Sequence, residues 1–102
     1  MSEAETMEET QVGLQFSPYP LRQAHVRPPI KAAVRAAAAE GVAVTVGRLS
    51  TFADGGDEAV FAAIKAAFSA ARSYGPTVMV VTLSSGLPST ETVADIQRAT
   101  GL

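Results

Sequence analysis

The fold is constrained most by the order in which strand-like and helix-like hydrophobic periodicities follow one another along the sequence. Residues 11–17 alternate strictly between apolar and polar, which is typical of a strand with one buried face. Residues 28–40 are rich in alanine at helical spacing and begin with two prolines, which suit a first helical turn. Alternating runs at 42–46 and 49–53 predict two more strands, with Gly47-Arg48 as a two-residue hairpin turn between them.

A second helix and a last strand follow this hairpin. The helix is predicted from Asp57 to a stop at Gly75-Pro76, with four apolar residues facing inward: Val60, Phe61, Ile64 and Phe68. The run Val78–Leu83 is almost continuously apolar, which predicts a strand covered on both faces. Pro18 and Pro20 are expected to end the first strand, because each removes an amide donor from the ladder.

The order strand, helix, strand, strand, helix, strand predicts a ferredoxin-like α+β sandwich. In this βαββαβ fold a four-stranded antiparallel sheet carries two helices on one face. The domain is expected over residues 11–88. A disordered acidic tail is expected over residues 1–10, and a tail or short helix over residues 89–102.

Composition narrows the classes of function. The sequence has no cysteine and a single histidine, His25, which argues against disulfide scaffolds, thiolate metal sites and a histidine-based triad. No run reaches the ~18 apolar residues of a membrane span. The start has four glutamates and no basic residue in ten positions, unlike a secretory signal. A cytoplasmic protein without membrane insertion is therefore expected.

The formal net charge of −2 is unevenly distributed. Beyond residue 10, eight Lys and Arg stand against six Asp and Glu, which is too mild an excess for a surface that binds a phosphate backbone. The predicted central strands also lack the basic and aromatic pattern on which bases stack. We expect no nucleic-acid partner.

The sequence gives little support for a catalytic function. Asp54, Asp57 and Glu58 form the one carboxylate cluster beyond the first ten residues, and their position in a loop and at a helix start is explained by capping. His25 has no neighbour in sequence that would orient it as a base. We expect no enzymatic activity, no cofactor and no metal site.

The predicted sheet has one face without a covering element. Phe52, Val81 and Leu83 on that face would form an apolar patch too large for a monomer. A homo-oligomer is therefore expected, in which a second copy covers the face. The alternative is that the C-terminal segment from Thr90 folds back over it.

Hydroxyl side chains gather on the predicted strands. The first and third strands are central neighbours in this topology, so Ser17 is expected to approach Ser50 and Thr51. Hydroxyls beside aromatic rings suit a neutral, flat heterocycle, which they orient through donors and acceptors. The alternative is that these residues simply solvate an exposed strand face.

Several of these segments together resemble the YkoF-like family. They are Phe16-Ser17-Pro18-Tyr19-Pro20-Leu21, Pro29-Ile30-Lys31, Leu49-Ser50-Thr51, Ala59-Val60-Phe61 with Ile64-Lys65-Ala66, and the stop at Gly75. The resemblance extends from about Gln11 to Pro88. It implies a ferredoxin-like domain that binds thiamine or its hydroxymethylpyrimidine moiety without catalysis, as a homodimer or homotetramer supporting uptake, salvage or sensing.

The motif match implies that Ser17, Ser50 and Thr51 line the pocket. Geometry adds six further candidates: Phe16, Tyr19, Phe52, Asp54, Thr82 and Ser84. A carboxylate at Asp54 near the mouth would favour the cationic vitamin over the pyrimidine alone.

Two other functions remain open. One is a regulatory module that senses amino acids, for which Arg48 is the one suitable clamp for a carboxylate. The other is a purely structural oligomerisation subunit.

Overall fold

The two periodicities fold into strands and helices in the predicted order. The computed structural model describes residues 11–86 and 90–101. Its elements are β1 Gln11–Pro20, α1 Arg27–Ala38, β2 Ala43–Val46, β3 Thr51–Gly56, α2 Asp57–Arg72, β4 Thr77–Ser85 and α3 Thr90–Thr100. The strands form one antiparallel sheet in the order β2-β3-β1-β4, which confirms the α+β prediction. The predicted tail over residues 1–10 lies outside the described residues.

The core lies between one sheet face and helices α1 and α2. Leu14 and Phe16 fill it from β1, and the helices contribute mainly small side chains: Ala33, Ala37, Val60, Ala63, Ala67 and Ala71. The prediction that Phe61 faces inward is wrong, because its side chain is 55% exposed. The buried stripe of α2 contains Val60 and the alanines at helical spacing from it. Phe61 is the next residue after Val60, so its side chain points about 100° away from this stripe.

Strand β1 does not end at its prolines, contrary to the prediction. Its pairing with β3 ends at Phe16↔Thr51, whereas its pairing with β4 continues to Pro20↔Thr77. Residues 17–20 therefore have a partner strand on one side only. Proline is tolerated at a strand edge, where its missing N–H interrupts no ladder.

The β2–β3 connection and the end of β3 also differ from the prediction. Gly47-Arg48 is not a two-residue turn; the loop comprises residues 47–50 and is closed by the Gly47 N–H, which donates to the Ser50 carbonyl at 2.9 Å. The segment expected to be a loop from Asp54 onwards belongs to β3 as far as Gly56, because β1 pairs with it to Gln11↔Gly56.

Strand β4 buries one face, although its apolar run predicted two. Val81 packs against the core, and Leu83 is paired with the core residue Leu14 on the same side. The prediction that Val81 and Leu83 lie on the open face is therefore wrong. Val78 and Val80 occupy that face and are half-exposed. Side-chain direction alternates with period two even where every residue is apolar.

The C-terminal segment, expected to be a tail or a short helix, contains the helix α3. Phe52, Val78 and Val80 stay half-exposed, so this segment does not bury the open face as the alternative proposed. None of the helices in the described residues has both the length and the apolar character needed to cross a membrane.

Candidate functional site

A concavity of about 380 Å³ opens where β1 extends beyond Thr51, the first residue of β3. Its walls are the free edge of β1 at residues 17–20, the loop at residues 47–50, the end of β2 at Val46, and the start of α1. This volume lies in the range of small-molecule pockets, roughly 300–1,000 Å³.

Three hydroxyl groups line one side of this concavity. The Oγ of Ser50 accepts a hydrogen bond from Gln15 Nε2 at 2.7 Å, which leaves its own O–H free to donate. The Oγ of Ser17 donates to the Leu49 carbonyl at 3.4 Å and keeps its lone pairs for a donor. Thr51, only 5% exposed, is the first residue of β3. The predicted approach of Ser17 to the Ser50-Thr51 pair is present.

The rim of the concavity is apolar and exposed. Tyr19, Val26 and Val46 are each at least half-exposed, and Leu49 at the loop tip is 93% exposed. Large apolar side chains gathered around a concavity mark a place where a ligand or partner covers them. Ile30 and Val34 of α1 complete the apolar wall.

The remaining candidates lie in a second concavity, of about 460 Å³, on the open sheet face. Phe52, Asp54, Thr82 and Ser84 line it, and none of them lines the first. The Oδ2 of Asp54 accepts from Gln11 Nε2 at 3.1 Å. The expectation that Asp54 lies at the mouth of the pocket with Ser17 and Ser50 is therefore wrong, since its side chain belongs to the other concavity.

The two aromatic candidates in the first concavity differ in what they offer. Phe16 is 1% exposed, so its ring belongs to the core and forms at most the floor of the site. Tyr19 is half-exposed at the free edge of β1, where it is paired with Val78 of β4.

Sequence reasoning missed most of the apolar rim. Val26, Val46 and Leu49 were not among the candidate residues, and Arg48 was considered only as a clamp for amino acids. Leu49 is predicted from the sequence to lie in the third strand, so its exposure in the loop at residues 47–50 is known only from the structure. His25 is exposed and lines a different concavity, and no cluster of metal-ligating side chains occurs in the described residues.

The sequence profile of the YKOF-related family matches residues 11–90. The chain belongs to this family. The match covers both concavities and every candidate residue, so the YKOF-related segment is the whole βαββαβ unit.

Solved structures share the fold of this YKOF-related chain. A hypothetical protein from Methanocaldococcus jannascii has a TM-score of 0.70 at 20% identity, covering 90% of this chain and 97% of its own. A domain of unknown function from Bacillus cereus has a TM-score of 0.69 at 22% identity, covering 85% and 90%. A Thermotoga maritima protein provisionally assigned to thiamine biosynthesis or salvage has a TM-score of 0.68 at 16% identity, covering 84% and 98%. None of the curated proteins compared with the chain matches it.

Proposed function

We propose that this protein binds hydroxymethylpyrimidine, free or as part of thiamine, reversibly and without catalysis in the concavity at the end of β1. The observation that carries the proposal is the convergence of Ser17, Tyr19 and the Ser50-Thr51 pair, from two distant segments, on that concavity. Membership of the YKOF-related family and the structural likeness to the Thermotoga maritima protein support it.

The polar groups match an aminopyrimidine in kind. Its ring nitrogens accept hydrogen bonds, which the free O–H of Ser50 can donate, and its exocyclic amino group needs acceptors. Pro18 has no N–H, so any backbone contact that it makes with a ligand is through a carbonyl acceptor. The exposed ring of Tyr19 offers a stacking surface for the flat heterocycle.

The lining chemistry favours binding over catalysis. The side chains around the concavity are apolar groups, hydroxyls and the guanidinium of Arg48, with no carboxylate, imidazole or amine among them. General acid–base catalysis near neutral pH relies mainly on the groups that are missing there. This composition supports a carrier, salvage or sensing role.

Isothermal titration calorimetry with hydroxymethylpyrimidine and with thiamine tests the proposal. Thr51→Val should weaken binding by about 1–3 kcal/mol, because a buried hydrogen-bonding partner is lost. Thr45→Val is the matched control, since Thr45 lines the other concavity. Circular dichroism of both variants establishes that they are folded.

Two results would contradict the proposal. The absence of heat with either ligand at high protein concentration removes the function and favours a purely structural subunit. An equal or larger loss of affinity in Thr45→Val would indicate that the ligand binds on the open sheet face instead.

Amino-acid sensing is a poorer match to the same concavity. Arg48 can pair with an amino-acid carboxylate, but no carboxylate lines the concavity to pair with the ammonium group. Binding of amino acids without binding of either pyrimidine ligand, in the same calorimetry, would favour it.

The open sheet face supports a homo-oligomer as the functional form. Phe52, Val78 and Val80 are half-exposed there, and a second copy of the chain would bury them against the same residues. We include this self-association, as a dimer or tetramer, in the proposed function.

A further inference from the structure

Arg48 is the one charged residue that lines the hydroxyl-lined concavity. It lies in the loop at residues 47–50, two positions before Ser50, and its side chain is exposed. The hydrogen bond from the Gly47 N–H to the Ser50 carbonyl closes this loop and keeps the Arg48 backbone beside the hydroxyl groups. The guanidinium of Arg48 therefore provides a positive charge at the mouth of the site.

Nearby carboxylates do not offset this charge. Asp54 lines the other concavity, where it accepts a hydrogen bond from Gln11. Asp57 accepts from the Glu58 N–H at 2.7 Å at the start of α2. Within residues 11–86 and 90–101 the one ion pair joins Arg98 and Asp95 in α3. Among the residues that line the concavity, the one formal charge is therefore the positive charge of Arg48.

Helix α1 begins beside the concavity but offers few donors for an anion. Pro28 and Pro29, in its first turn, have no N–H, and the Ile30 N–H donates to the Val26 carbonyl at 3.3 Å. An anion at the mouth would depend on the planar guanidinium of Arg48, whose donors match the oxygens of a phosphate.

The two charged ligands carry their charged group at the same position of the pyrimidine. In hydroxymethylpyrimidine phosphate and in thiamine, the phosphate and the cationic thiazolium are attached to the pyrimidine through the same methylene group. A pyrimidine held by the hydroxyl groups would present either substituent at the same point of the site.

On the basis of the proposed function, we infer that Arg48 sets the charge preference of this site. The concavity takes a pyrimidine that bears a phosphate monoester in preference to the uncharged alcohol, and the alcohol in preference to the thiazolium cation. This reverses the preference that a carboxylate at the mouth would impose.

Calorimetry at low ionic strength with three ligands tests the inference: hydroxymethylpyrimidine, its phosphate monoester and thiamine. The ester should bind about tenfold more tightly than the alcohol, as a charge-assisted contact adds to the same ring contacts. Arg48→Gln should remove the difference in affinity between the ester and the alcohol, and the affinity for thiamine should come closer to those two. Added salt should weaken the ester more than the alcohol.

Lys31→Gln is the matched control, because Lys31 is an exposed cation on α1 that lines a different concavity. It should leave the order of the three ligands unchanged. Equal binding of ester and alcohol, a difference that persists in Arg48→Gln, or the same change in Lys31→Gln would each overturn the inference. The absence of binding by all three ligands overturns the proposed function itself, whereas binding of the alcohol without preference for the ester overturns only the role of Arg48.

Discussion

Gly47 is the residue on which the shape of the loop at residues 47–50 depends. A Cβ atom at this position would lie 2.7 Å from the Ser50 carbonyl oxygen and 3.0 Å from the ring of Phe52. The same carbonyl accepts the hydrogen bond that closes the loop. Glycine is required here by close approach of the backbone, because a methyl group would push apart the two ends of residues 47–50.

Gly47→Ala should therefore destabilise the protein and displace Ser50. We expect the free energy of unfolding, measured by urea denaturation, to fall by about 1–3 kcal/mol through overpacking. Leu49→Ala in the same loop should change it little, because that side chain is 93% exposed. Equal stability of Gly47→Ala and the unaltered protein would show that the loop relaxes without cost.

At the scale of elements, alanine determines how closely the two helices of the core pack. Ala33 and Ala37 of α1 and the buried alanines of α2 are fully inaccessible. Small side chains let the helix axes and the sheet approach one another, so the core is formed by close backbone packing more than by large side chains. The larger apolar residues of α1, Ile30 and Val34, remain available to line the concavity.

Ala67→Leu tests this packing. The added atoms have no space at a fully buried position, so we expect a loss of about 1–3 kcal/mol in the free energy of unfolding. Ser69→Leu adds a leucine to an exposed position of the same helix and should be nearly neutral. Thermal and urea unfolding measure both, and a larger effect of Ser69→Leu would refute the arrangement of this helix.

At the scale of the whole molecule, the sheet has two unequal faces. One face is covered by α1 and α2, and the other exposes Phe52, Val78 and Val80 beside polar side chains of β1. An apolar face of this kind favours burial against a second copy, and a two-fold arrangement would pack the same apolar patch of both copies together.

Val80→Lys should shift the assembly towards monomers. A lysine on the open face would be buried without a partner in the oligomer, which is costly. Phe61→Lys is the matched control, because Phe61 is equally exposed but lies on α2, away from the open face. Native mass spectrometry gives the subunit count, and an unchanged count in Val80→Lys would exclude this face as the interface.

Local patterns in the sequence determined the order of elements, the βαββαβ topology and the approach of Ser17 to the Ser50-Thr51 pair. Each depends on periodicity within one segment or on adjacency that follows from the topology. Gly41, in the turn that follows α1, has a φ of +85°, a left-handed conformation that glycine adopts readily.

Only the tertiary structure decided which strand edges and faces remain free. The prolines of β1 would have interrupted a fully paired strand, but they lie beyond the last residue that pairs with β3, and this depends on the register of a distant strand. The same long-range pairing assigns Val81 to the core and Asp54 to the second concavity. A single segment specifies its own periodicity, whereas its partners and its exposure are set by contacts with residues far away in the chain.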